Sequence, residues 1–146
     1  DHKLKEVCEA YMEYYRDTSE TIALIDCRKI DALADAMKAV YNEAKAVDVG
    51  MIQPYDNFTY HLYFDLGDYV ESVVSGATLE NFNKALSDVV VYSGNTDTFF
   101  TVTGTDDAYI PIEHYSGLSC YILQETDCPE TAKAWRATAW AQRVAQ

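Results

Sequence analysis

Positive charge is scarce in this chain. Eleven Lys and Arg stand against 24 Asp and Glu, a formal charge of −13 at pH 7. Such an excess repels phosphate backbones and anionic lipid surfaces within a Debye length, which argues against nucleic acid as a partner. Long apolar runs are missing as well. No stretch approaches the roughly 18 consecutive apolar residues of a membrane-spanning helix, and no charged-then-apolar signal segment opens the chain. Internal repeats and low-complexity tracts are absent, so solenoid and fibrous architectures are not expected. Cysteine is present but sparse: Cys8, Cys27, Cys120 and Cys128 show neither CxxC nor zinc-type spacing, and four are too few for a disulfide scaffold. A Cys120–Cys128 bridge would close a short loop, but buried free thiols are the expected state.

What the chain does contain is an ordinary globular mixture, 49% apolar and 24% charged over 146 residues. That length suits one domain, or a small subdomain joined to a piece of another. The first residue is Asp1 rather than Met, and a helical pattern begins at Leu4. Sequence upstream of Asp1 is therefore expected.

Leu4, Val7, Cys8, Tyr11, Met12 and Tyr15 follow the spacing of a helix with one buried face. Thr21 to Ile25 is apolar at nearly every position, the pattern of a strand covered on both faces, as in parallel sheets. Asp26 is placed to cap a second helix with a stripe of Ile30, Leu33, Ala34, Met37, Tyr41 and Ala44, ended by Val49-Gly50. No other segment before residue 89 reads strongly as a strand. A doubly buried strand cannot leave its backbone groups unpaired, so the rest of its sheet is expected upstream of Asp1.

Met51 to Phe64 reads as a loop with an extended piece at Thr59 to Tyr63. Asp65 and Asp68 suit the start of a helix carrying Leu66, Tyr69, Val70 and Val73, with Gly76 as its stop. Thr78 is the expected cap of a further helix through Leu79, Phe82, Ala85 and Leu86. Val89 to Tyr92, Thr98 to Thr103, Tyr109 to Ile112 and Leu118 to Leu123 form a mainly antiparallel set of strands. Pro129 opens one closing helix with Ala132, Trp135, Ala139, Trp140 and Val144 on a single face.

Candidate chemistry is thin. A thiol nucleophile needs a His within hydrogen-bond reach and donors for an oxyanion. His2, His61 and His114 sit at the chain's edge, in the connector and in a polar turn, none beside a cysteine in sequence. Cys27 follows the buried strand, where such sheets place nucleophiles, but the first turn of the second helix is the plainer assignment and the one adopted. Asp97, Asp106 and Asp107 could gather on a calcium ion, yet their spacing is not that of an EF-hand loop and turns favour Asp for local backbone bonding. Twelve Tyr and two Trp suggest a peptide- or glycan-binding face, although most fall on core stripes.

Several segments, in order, resemble the clostripain-like cysteine peptidases of the caspase-like clan. Glu9-Ala10-Tyr11-Met12-Glu13-Tyr14-Tyr15 resembles the family's helix beyond its catalytic strand. Thr21 to Asp26 with Lys29-Ile30-Asp31-Ala32-Leu33-Ala34 is similar to the next strand and helix. Tyr63 to Tyr69 looks like a "DLxDF" pattern with Tyr69 in the last place, while Ala85 to Tyr92 and Gly117-Leu118-Ser119-Cys120-Tyr121 resemble late strands, the second being the "GLSxY" pattern. The resemblance implies an α/β fold over residues 1–50, the closing helix-strand-helix of a caspase-like sheet domain. A small α+β C-terminal subdomain follows over 51–146.

It also implies that the catalytic His and the "DACLMG"-type Cys strand lie before residue 1, so that this segment holds no catalytic and no metal-binding residue and its substrate-binding residues are unknown. The parent would then be a secreted or surface-anchored endopeptidase cleaving after Arg or Lys, with the upstream catalytic portion and a peptide substrate as partners. No cofactor is implied for this segment; calcium enters only as an ion that the parent family can use, and no site for it is identified here. The competing expectation is a stand-alone acidic module that binds peptide or glycan on a Tyr/Trp face.

Overall fold

A computed structural model describes residues 2–103 and 106–144, the side chains of residues 102, 103, 106 and 107 excepted. Helix α1 spans His2–Tyr14, matching the periodicity, but only Cys8 on it is fully buried. Leu4, Val7 and Tyr14 are exposed. The face that is used lies against β1 (Thr21–Ile25) and β3 (Val90–Asn95). Tyr11 Oη donates to Glu20 Oε2 at 2.9 Å, tying the helix to the residue before β1.

The pairing of β1 differs from the sequence expectation. Its partner lies inside the chain and runs antiparallel: Thr21 faces Asn95, Leu24 faces Tyr92 and Ile25 faces Val90, with a register shift between Leu24 and Ile25. All five residues are half-buried rather than sealed. The apolar run fits because both faces are partly covered, one by α1 and the other by the 116–118 turn. At that turn a Cβ on Gly117 would stand 2.8 Å from Val90 Cγ1 and 3.2 Å from Ala23 Cβ. Among the described residues the second edge of β1 has no ladder partner.

Asp26 caps a short 3₁₀ turn, Cys27–Lys29, rather than the second helix itself: its Oδ1 accepts from the Arg28 N–H at 3.1 Å, and Lys29, which precedes α2 (Ile30–Glu43), makes no side-chain cap. Leu33, Ala34, Met37 and Val40 are the buried stripe of α2, set against the later helices. Residues 59–63 form no strand. Instead Asp56, 3% exposed, organises the loop by accepting from the N–H groups of Phe58, Leu62 and Tyr63 at 3.0, 2.8 and 2.9 Å. A carboxylate that receives several backbone donors competes locally with any ladder.

The next helices are α3 (Leu66–Val73) and α4 (Gly76–Val89). Gly76 opens α4 rather than stopping α3; its φ of +62° makes the tight corner that glycine tolerates. Thr78 is no cap: its hydroxyl donates to Glu43 Oε2 at 2.6 Å, across to α2. Among the described residues the strands are antiparallel, as expected for the later set, and pair as three two-stranded ribbons. These are β1 with β3, β2 (Phe64–Asp65) with β6 (Ser119–Cys120), and β4 (Thr98–Thr103) with β5 (Asp106–Pro111). The closing helix is broken in two, α5 (Pro129–Arg136) and α6 (Ala139–Val144), because Thr138 Oγ1 accepts from the Ala141 N–H at 3.1 Å and restarts it.

One hydrophobic cluster joins these elements, with Leu33, Met37, Val40, Phe64, Val70, Phe82, Val89 and Val144 almost wholly out of water. Sealing a side chain of this size contributes about 1.5–3 kcal/mol. The cluster and the β1–β3 ladder both connect segments on opposite sides of residue 50. The cysteines are free thiols: Cys8 is buried, Cys27 exposed, and Cys120 and Cys128 are half-buried without a bridge between them.

Candidate functional site

The residues with candidate chemistry stand on different elements, and among the described residues no hydrogen bond or ion pair joins Cys27 to a histidine. Cys27 is exposed on the 3₁₀ turn after β1. His61 Nδ1 lies 3.1 Å from Asp56 Oδ1, and His114 Nε2 lies 3.8 Å from Asp68 Oδ1, so both imidazoles face carboxylates. His2 is exposed at the first turn of α1. Asp97 is exposed in the turn between β3 and β4. The side chains of Asp106 and Asp107 lie outside the described residues, and with them the calcium grouping. Among the described residues no three His, Cys, Asp or Glu side chains come together to hold a metal.

What the fold does assemble is a polar clamp centred on Asp65, 1% exposed at the junction of β2 and α3. Its Oδ1 accepts from the Asp68 N–H at 2.9 Å, the helix cap that the Asp65/Asp68 spacing suggested. Its Oδ2 accepts from the Ser116 N–H at 2.7 Å, the Ser116 hydroxyl at 2.9 Å and the Tyr55 hydroxyl at 3.0 Å. Ser116 Oγ in turn accepts from the Gly67 N–H at 3.2 Å. These donors replace the water that a buried carboxylate loses.

Asp68 extends the clamp by accepting the Gln53 N–H at 2.7 Å. Gln53 then bonds outward, its Oε1 taking the Glu113 N–H at 2.8 Å and its Nε2 reaching the Pro54 and Pro111 carbonyls at 2.9 and 3.0 Å. Three distant segments, residues 53–55, 65–68 and 111–118, are thereby held together. Gly67 is required because a Cβ there would stand 2.9 Å from Ser116 Cβ. The Asp65-Leu66-Gly67-Asp68 and Ser116-Gly117-Leu118 motifs thus hold structure. Tyr55, Gln53 and Ser116 were not legible beforehand, since nothing local in the sequence marks them.

Two clefts flank the clamp. The first, about 490 Å³, is lined mainly by Tyr55, Phe58, Tyr63, Phe99 and Tyr115, with Asp56 beside them. The Tyr55 ring stands edge-on to both Phe99 and Tyr115, with centroids 5.8 and 6.1 Å away and planes at 72° and 85°. Burial, together with the negative charge of Asp65, pushes the Tyr55 phenol upward, so the ring stays neutral. The second cleft, about 350 Å³, is more apolar and touches Tyr41, Cys120, Trp135 and Trp140. Burial, with Asp65 nearby, pushes the Cys120 thiol upward, the opposite of what a nucleophile needs.

With this arrangement laid out, its counterparts among solved structures are plain. An inactive zymogen C11 protease from Parabacteroides distasonis superposes with a TM-score of 0.88 and 24% identity, over 97% of this chain and 43% of that one. The chain shares its fold with part of the C11 cysteine proteases. A clostripain from Bacteroides thetaiotaomicron, solved with a peptide inhibitor, gives 0.78 and 24% over 94% of this chain and 61% of its own. A secreted C11 cysteine protease from the same organism gives 0.79 and 24%, over 94% and 39%. This chain therefore spans between 39% and 61% of the length of these C11 neighbours. No family model matches the sequence, and neither does any protein of curated function.

Proposed function

We propose that this chain is the C-terminal, non-catalytic part of a clostripain-like cysteine endopeptidase that cleaves after Arg or Lys through a Cys/His pair located upstream. The observation that carries the reading is an asymmetry of coverage: 97% of this chain superposes on a C11 protease, yet 43% of that protease is accounted for. That His61 and His114 face Asp56 and Asp68 rather than a cysteine supports it. In this reading residues 1–50 close the catalytic domain's sheet, the free edge of β1 receives a strand of the upstream portion, and residues 51–146 brace it through the Asp65 clamp. The parent works outside the cytoplasm, as does the neighbour described as secreted. Among the described residues no helix is long and apolar enough to cross a membrane.

The test is hydrolysis of Arg- and Lys-blocked amides by the full-length parent and by this chain alone. Iodoacetamide-sensitive turnover is expected from the parent and none from the chain. Cys27→Ala should leave the parent's turnover nearly unchanged. Thiol-dependent turnover by the isolated chain, or loss of the parent's activity in a folded Cys27→Ala variant, would overturn the assignment.

A further inference from the structure

A two-stranded ribbon sorts its side chains by register. Across β4 and β5 Phe99 faces Ile110 and Phe100 faces Tyr109, so these neighbouring pairs point to opposite sides. The Phe99 ring turns toward Tyr55, with centroids 5.8 Å apart. The other side carries Phe100 and Tyr109, whose rings meet at 5.1 Å with planes 47° apart. Tyr109 remains 67% exposed, so that contact leaves most of its ring free. An exposed aromatic pair rimmed by polar groups marks a binding surface rather than a core. Such a rim is present here, because the two rings line another cleft of about 780 Å³ whose remaining lining is polar. That volume lies in the range of small-ligand sites.

The link between α1 and β1 supplies Arg16, Asp17 and Glu20 to this cleft, and the start of the ribbon supplies Asp97 and Thr98. Link and ribbon are already fastened together. The Glu20 N–H donates to Thr96 Oγ1 at 2.8 Å, the Thr96 N–H donates back to the Glu20 carbonyl at 3.0 Å, and Ser19 Oγ lies 2.5 Å from Thr98 Oγ1. Order built in beforehand lowers the cost of binding. The charges then narrow the occupant. Arg16 Nε lies 3.6 Å from Asp17 Oδ2, so both signs stand at one cleft and neither a cation nor an anion meets a lining of purely opposite charge. The chain's charge of −13 further repels anions. An apolar protein face would strip water from Arg16, Asp17, Glu20 and Asp97 without replacing it. A neutral sugar avoids both penalties. Each hydroxyl can give its proton to a carboxylate and accept one from the guanidinium or a threonine hydroxyl. The C–H face of a pyranose ring is apolar and weakly positive, the complement of the negative face of an aromatic ring.

We propose that this cleft binds a neutral glycan, with one sugar ring stacked on Tyr109 and its hydroxyls hydrogen-bonded to Asp97, Asp17 and Arg16. None of the described residues lining it belongs to the Asp65 clamp or to the two clefts beside that clamp. Glycan binding here is a function separate from peptide-bond hydrolysis, and it needs no turnover to be observed.

The experiment is an amide chemical-shift titration of the chain with the neutral sugars cellotriose, maltotriose, mannotriose and tri-N-acetylchitotriose. Trigalacturonate and the amine-bearing chitotriose serve as the anionic and cationic comparisons. At least one neutral trisaccharide should saturate shifts at Ser19, Asp97, Phe100 and Tyr109. About 0.5 M salt should leave that binding in place, because no net charge is neutralised. Trigalacturonate should not bind. Tyr109→Ala should weaken the best neutral probe at least about fivefold, and Tyr109→Phe, which keeps the ring, by less than about twofold. Asp97→Asn should weaken it as well, with distant resonances unmoved in every variant. Calorimetric titration of the full-length parent should return a similar affinity. The absence of saturating shifts with every neutral trisaccharide at about 20 mM would overturn the proposal. So would binding confined to chitotriose and abolished by salt, which would mean a site for cations. Undiminished binding by a folded Tyr109→Ala variant would remove the stacking platform from the argument, and loss of binding in the parent would show the cleft to be covered by the upstream portion; either result sinks the assignment. Because the readout is binding and not hydrolysis, its failure leaves the endopeptidase assignment standing, and the reverse also holds.

Discussion

Asp65→Ala is the most informative single change. The substitution removes the acceptor of four hydrogen bonds at a site 1% exposed. Two of the donors have somewhere else to go: the Tyr55 hydroxyl already lies 2.5 Å from the His114 carbonyl oxygen, and the Ser116 hydroxyl lies 3.1 Å from the Leu118 carbonyl. The other two, the N–H groups of Asp68 and Ser116, are fixed by the backbone and become orphans. Each costs about 1–3 kcal/mol, together roughly 2–6. Among the described residues no cation is paired with Asp65, so removing its charge also relieves a desolvation penalty. The expected net loss is about 3 kcal/mol, a substantial share of the roughly 5–15 kcal/mol that holds a domain together. Urea unfolding followed by circular dichroism would read it as a fall in midpoint with little change in slope. Asp65→Asn should recover only part of the loss, because its single amide oxygen can serve the Ser116 side or the Asp68 N–H but not both, and the N–H₂ then faces a backbone N–H that cannot reverse its role. A stability within about 0.5 kcal/mol of the unaltered chain would refute the claim that this carboxylate clamps three segments together.

Gly117→Ala should destabilise by about 2–4 kcal/mol in the same assay, since φ is +85° and the new Cβ would meet Val90 Cγ1 at 2.8 Å; an unchanged midpoint would show that the turn does not press on the β1–β3 ribbon. Stability should also fall in alkali. Burial, and then the charge of Asp65, raise the Cys120 thiol above its ordinary 9.0, so the unfolded chain loses that proton first. The contribution is complete below about pH 9 and lost as pH rises toward the folded value. Discounted for partial exposure, the drop between about pH 8 and 10 is on the order of 1 kcal/mol from Cys120, with Tyr41 beginning to add to it for the same reason. Cys120→Ala should remove most of that drop; an equal drop in the variant would assign it to other groups.

The sequence by itself determined the local elements whose signals are short-range. Helical spacing in Leu4 to Tyr15 and Ile30 to Ala44 marked α1 and α2, and the three-residue step from Asp65 to Asp68 marked a capped helix, because caps and stripes are written within a turn or two. The order of the motifs was enough to suggest the clostripain-like resemblance. The partner of β1 was not legible. A five-residue apolar run states that both its faces will be covered, but not that Thr21 will face Asn95 across more than seventy residues, nor in which direction.

Gly76 opens α4 through its own φ of +62°, and Thr138 breaks the last helix by capping Ala141 three residues on, so both signals are local ones that turns and helices share. The clamp was decided by tertiary contacts: Ser116 reaches Asp65 across 51 residues, and a serine in a turn looks the same whether or not a buried carboxylate awaits it. The Tyr55–Phe99–Tyr115 cluster is the extreme case. Tyr55, Phe99 and Tyr115 come from three segments, and their edge-on contacts exist only in the folded chain. Composition could count the rings, but the angle between two ring planes is a property of packing alone.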